Sequence, residues 1–185
     1  MSVDPEPSMD LNQSEDQTVR VQRALWRHWG TPAAIYGTIV YASVVAASSL
    51  EHDHPDSALR ILAFSLISIV VFWLAHVYST ALGFHGDAAH VRDRLRDSLR
   101  HAMAESAGML EAAVIPSVPL LLATLGVLDA ETAVTIALWL AVLMLALLGY
   151  LVFLVRGRPV GICLLGAVIT GLFGVVVILL KIALH

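Results

Sequence analysis

Ile61–Leu82 reads ILAFSLISIVVFWLAHVYSTAL, a run with no formal charge and one imidazole, His76, among rings and aliphatic side chains. A helix that crosses the hydrocarbon of a bilayer needs about 20 mostly apolar residues, and this run is long enough. The rest of the chain has the same character. Of its 185 residues 58% are hydrophobic and 14% charged, with a mean hydropathy of +0.78. A soluble domain has about 45–50% and about 25%. The solvent around Ile61–Leu82 is therefore read as lipid.

Working outward, five apolar runs can span, at residues 33–50, 58–84, 107–128, 132–155 and 160–184. The third is the least uniform: Glu111 is near its start, and Pro116 and Pro119 interrupt it. Prolines are tolerated in membrane helices where neighbours or waters satisfy the freed carbonyls. Residues 1–16 (MSVDPEPSMDLNQSED) are acidic and polar and read as a disordered tail, with no basic start or early apolar core of a secretory signal. Residues 17–185 then form one membrane domain. It opens with TVRVQRALWRHWG, where Val21, Leu25 and Trp29 share a face and Trp26 and Trp29 suit headgroup depth. This is the pattern of an interfacial helix.

The connection between the second and third runs is polar: HGDAAHVRDRLRDSLRHAMAES, residues 85–106. At 100° per residue, Ala88, Val91, Leu95, Leu99 and Ala102 share one face, and His90, Asp93, Asp97, His101 and Glu105 the opposite one. The expected element is an amphipathic cytoplasmic helix at about 86–105, with its apolar face packed on something. The predicted fold is thus an all-α polytopic membrane protein of five transmembrane helices, an N-terminal interfacial helix and this cytoplasmic helix.

Basic residues set the expected orientation. Arg20, Arg23 and Arg27 precede the first run, Arg92, Arg94, Arg96 and Arg100 lie between the second and third, and Arg156 and Arg158 lie between the fourth and fifth. The other two connections, EHDHPDS and DAE, carry none. The positive-inside rule then puts the N-terminus in the cytoplasm and the C-terminus outside, in the plasma (inner) membrane. Lys181, near the outer end of the fifth run, can snorkel to the interface.

Several function classes have no support. There is no basic tract for nucleic acid. The lone Cys163 lies in an apolar run, as a small hydrophobe does. No nucleophile–base constellation, phosphate-binding glycine loop or HExxH appears, so no enzyme is expected. The candidates that remain concern cations. His76 and Glu111 are ionisable groups at membrane depth, where such groups are rare and mark ion paths; Tyr41 is a third path candidate. The alternative for His76 is a structural hydrogen bond to Tyr36, Tyr41 or Ser43. His90, Asp97, His101 and Glu105 offer nitrogen and oxygen donors suited to divalent iron, manganese or zinc, the alternative being a solvated face with Asp–Arg pairs. The outer loop Glu51-His52-Asp53-His54-Pro55-Asp56 could collect cations or be a plain turn. Small residues recur every four positions at Ala42–Ala46, Ser43–Ala47 and Gly166–Thr170–Gly174. Such ridges serve packing within a chain and dimerisation equally well.

The layout, with the span-three segment AAVIPSVPLLLATL (Ala112–Leu125), resembles the vacuolar iron transporter family and its Gly/Ala-x-x-x-Pro-x-x-Pro segment. IYGTIVYAS (Ile35–Ser43) is similar to that family's first-span start. AHVYS (Ala75–Ser79) falls where its second span ends. The resemblance covers roughly residues 29–184, mostly as topology. It implies a homodimer that exchanges Fe2+ or Mn2+ for protons as cargo and a cytoplasmic insertion that gathers metal. Val40 stands where the family has its first-span acid, Phe72 where it has a methionine, and His76 where it has a glutamate. FWLAH (Phe72–His76) also resembles the Trp-x-x-His end of span two in bacterial relatives of the lysosomal potassium channels, which implies a monovalent cation channel. A non-transporting scaffold or partner-binding bundle is the remaining class.

Overall fold

The structure, a computed structural model, describes residues 32–49, 57–83 and 91–184, with the backbone alone at 83, 91–95, 97, 101, 105 and 184. The acidic tail, the interfacial helix, the loop bearing His52 and His54, and His90 lie outside these residues. The described residues are all-α, in five helices: α1 Pro32–Ser48, α2 Ser57–Gly83, α3 Val91–Thr124, α4 Ala130–Leu154 and α5 Val160–Leu184. Four of them, α2 to α5, are long and apolar enough to cross a membrane, while α1 is a shorter apolar helix of 17 residues.

The shortest helix is the central one. α1 touches each of the other four, and its buried residues include Ala33, Ala34, Gly37, Thr38, Ala42 and Ala46. Small side chains let other backbones come close. At Gly37 a Cβ would stand 2.6 Å from the Met109 carbonyl oxygen of α3. The Ala42–Ala46 row is in the core, whereas Ser43 faces outward and donates to the Ile39 carbonyl within its own helix. A wide apolar surface, such as Phe64, Ile67 and Val71 of α2 and Leu165, Val168 and Leu172 of α5, remains exposed. Apolar patches of that extent on a helix bundle suit lipid, not water.

α4 and α5 make the other close crossing. A Cβ on Gly149 would stand 2.6 Å from the Gly166 carbonyl oxygen, and one on Gly166 would stand 2.8 Å from the Gly149 oxygen. Thr170 Oγ1 lies within bonding distance of the Leu145 carbonyl across the interface and the Gly166 carbonyl on its own helix, 2.8 Å from each. Gly174 faces Val142 and Leu145. The Gly166–Thr170–Gly174 ridge is therefore used within the chain.

α3 differs from the sequence expectation. The polar segment and the third apolar run form one helix of 34 residues, not two. At 1.5 Å per residue it is about 51 Å long, against about 30 Å of hydrocarbon. The expected apolar face is split: Leu99 is 46% exposed, Ala102 of the same face is buried, and the side chains of Ala88, Val91 and Leu95 lie outside the described residues. Ser98, Ala102 and Ser106, one turn apart, are all buried, a small-residue row that suits close backbone packing. Pro116 and Pro119 lie inside the helix without ending it. Ser117 Oγ donates to the Ala113 carbonyl at 2.7 Å beside them.

The two described loops between helices are built alike. After α3, Gly126 at φ 75° gives N–H bonds to Ala123 and lets Val127 reach back to Leu122; after α4, Gly157 at φ 66° and Arg158 do the same to Leu154 and Phe153. This is the Schellman ending, which favours glycine at the left-handed position. Asp129 caps α4 by accepting from the Thr132 N–H at 2.8 Å. That bond, with a further contribution from the Thr132 side chain, lowers the Asp129 pKa. Its stabilisation is present above the ordinary carboxylate range and fades as pH falls through the lowered value.

Gly149→Ala should lower stability by about 1–3 kcal/mol by overpacking, whereas Gly161→Ala, where a Cβ meets nothing within 4 Å, should not. Thermal unfolding of the two variants in detergent checks this contrast.

Candidate functional site

Glu111 is about a turn and a half along α3 past the small-residue row, where the helix runs between α1 and α4. Helix periodicity makes the placement plain: Gly108 and Ala112 lie on the same side of α3, and with Glu111, Ala34 of α1 and Met144 and Leu148 of α4 they line a small apolar cavity of about 10 Å³. That is about the smallest space that holds a water. Glu111 Oε2 is buried and has no hydrogen-bond partner. An unmade hydrogen bond on a buried acceptor costs about 1–3 kcal/mol, more when charged. The walls are alkyl and thioether groups, so nothing from the protein in this cavity satisfies that oxygen.

His76 lies elsewhere. It is partly buried near the end of α2, and its ring stacks on Tyr36 of α1 with centroids 6.3 Å apart and an interplanar angle of 28°. Tyr36 and Ala34 are two residues apart on α1, hence about 200° apart around its axis. His76 and Glu111 therefore face different sides of α1 and do not share a site. Of the hydroxyls expected to bind His76, Ser43 bonds Ile39 and Tyr41 bonds Ser117; Tyr36 meets it by its ring.

Tyr41 is 1% exposed, with its hydroxyl 2.6 Å from Ser117 Oγ. Ser117 donates its one hydrogen to the Ala113 carbonyl, so Tyr41 donates to Ser117. This relay ties α1 to the proline segment of α3. Two further buried polar atoms have no partner, Trp73 Nε1 and Ser65 Oγ, both on α2; nothing in sequence marked them, because burial on α2 is set by which helices flank it.

Asp97, His101 and Glu105 fall four residues apart on the continuous α3 backbone, while their side chains, and all of His90, lie outside the described residues. Among the described residues no group of three or more His, Cys, Asp or Glu side chains could hold a metal ion. Cys163 is buried, its Sγ 3.5 Å from the Arg158 carbonyl that closes the α4–α5 loop.

Charge has one exception to the alternation read from the connections. Arg60 is exposed in the first turn of α2, the end of the bundle opposite the Arg156–Arg158 loop. The bias remains steep, since all eleven Lys and Arg except Arg60 and Lys181 precede α1, follow α2 or lie in the α4–α5 loop.

No protein-family model, curated protein or solved structure matches this chain. What the structure shows is an all-helical chain with four helices suited to crossing a membrane and a fifth, shorter apolar one at their centre.

Tyr41→Phe should lower stability by about 1 kcal/mol through loss of the relay. Tyr36→Phe, whose ring stacking survives, should have a smaller effect. The comparison is read from unfolding midpoints in detergent.

Proposed function

We propose that this chain is a multi-pass membrane cation transporter with Glu111 as its intramembrane carboxylate. The reading rests on one observation: a buried carboxylate oxygen with no partner, beside a cavity of water size, on a helix between two others. A carboxylate kept only for structure would have both oxygens bonded. Ionisable groups inside membrane bundles mark substrate and ion paths.

The proposed cargo is a divalent transition metal, Fe2+ or Mn2+, in exchange for protons, as the resemblance to the iron transporters implies. His90, Asp97, His101 and Glu105 would gather it at the membrane face where the arginines are concentrated. That face is taken as cytoplasmic, with the N-terminus on it and the C-terminus outside. His76 and Tyr41 are further path candidates. The resemblance also carries a homodimer, which would use a face other than the Gly166–Thr170–Gly174 ridge, already occupied by α4.

A second reading, a non-transporting scaffold, is favoured by Tyr41 and Thr170, whose hydroxyls bridge helices.

Purified protein should bind Fe2+ or Mn2+ stoichiometrically in a calorimetric titration and carry it into liposomes. Glu111→Gln should abolish uptake, and Asp97→Ala with His101→Ala should weaken binding at least tenfold, about 1.4 kcal/mol. Neither binding nor uptake above empty liposomes would overturn the reading in favour of the scaffold. Voltage-driven current without metal or a proton gradient, lost on His76→Ala, would replace it with a channel.

A further inference from the structure

A second groove on the bundle lies away from Glu111. At the end where α4 begins and α5 finishes, a groove of about 410 Å³ runs between the two helices. Glu131, in the first turn of α4, and Lys181, in the last turn of α5, stand at its mouth. The Glu131 carboxylate acts electrostatically on the Lys181 ammonium, yet among the described residues no direct ion pair joins them. Thr135 lies one turn below Glu131, and Trp139 a further turn down, about 12 Å below it along the axis. Ile178 lines the groove opposite. Trp139 is 58% exposed, so one flank of the groove is a bare indole.

We infer that this groove binds a zwitterionic aminophospholipid, its phosphate on Lys181, its primary ammonium on Glu131 and an acyl chain along Trp139 and Ile178. Charge complementarity selects the occupant. Two opposite charges side by side at a bilayer boundary match a headgroup that carries the same pair reversed. The apolar floor matches the chain beneath it, and a basic side chain between membrane helices attracts a lipid phosphate. A free anion or cation would satisfy one charge and leave the other facing it. A purely anionic lipid would set its headgroup against Glu131. A choline headgroup brings the phosphate but has no N–H to donate to the carboxylate. The groove lies at a membrane boundary whichever way the bundle is inserted, so the inference stands apart from both orientation and transport.

The test is native mass spectrometry of the full, delipidated chain, titrated in detergent with phosphatidylethanolamine, phosphatidylcholine or phosphatidylglycerol of matched acyl chains. Phosphatidylethanolamine should be retained about fivefold more strongly than either of the others. Glu131→Gln should erase its advantage over phosphatidylcholine. Lys181→Gln should weaken retention of all three, and Lys181→Arg should keep it. Both residues are at helix ends; unchanged unfolding midpoints for these variants show that the bundle is intact. Equal retention of ethanolamine and choline lipids, preference for phosphatidylglycerol, no retained lipid, or retention unaffected by Lys181→Gln in a folded variant would each overturn the assignment.

Discussion

Helices surrounded by hydrocarbon gain nothing by hiding leucines from it, so they associate where their backbones can approach. Two such approaches organise this bundle. At Gly37 the central helix α1 meets the backbone of α3 at Met109, and at Gly149 and Gly166 α4 and α5 meet with no room for a side chain on either glycine. Many large side chains lie outward, among them Phe64, Ile67, Leu165 and Leu172, while Tyr41, Ile69, Met109, Leu120 and Leu145 fill the interior. α1 can be central because its inward face is mostly alanine, glycine and threonine, with Tyr41 and Val45 as its larger members.

Within that tight frame most described hydroxyls bond locally or bridge helices; among the described residues Ser65 Oγ, Trp73 Nε1 and Glu111 Oε2 are buried without a partner, and only the last belongs to a carboxylate. Thr38, Ser48 and Ser106 return to carbonyls of their own helices, while Tyr41 and Thr170 cross to neighbours. The carboxylate instead leaves an oxygen against alkyl walls. In a bundle otherwise economical with polar atoms, that exception is what gives α3 a chemical character beyond packing.

Much of the helix layout was legible because lipid imposes a length and a composition. α2, α4 and α5 lie on long apolar runs whose charges, Arg60, Glu131 and Lys181, are confined to their end turns, and such runs have few other readings. The lower part of α3 was not legible as a continuation. Ala104–Gly108 marks a change of solvent from polar to apolar, and a helix crosses such a change without any residue that says so. Of its inward face only Ala102 was legible; Ser98 and Ser106 are buried beside it for their small size, which a hydrophobic projection does not weigh. Glu111 was visible as an acid in an apolar run. Its cavity was not, since Ala34, Met144 and Leu148 come from helices whose rotation no local pattern encodes. His76 drew attention as a titratable group, but its partner turned out to be a ring face instead of a hydroxyl.

The unbroken α3 has a mechanical consequence. Its length exceeds the hydrocarbon thickness by about 20 Å, and no proline or glycine interrupts it before Gly108. Gly108 then stands between this overhang and Glu111. Because the overhang is seated on the bundle through Ser98, Ala102 and Ser106, a load at the membrane surface is shared with the neighbouring helices before it reaches the interior.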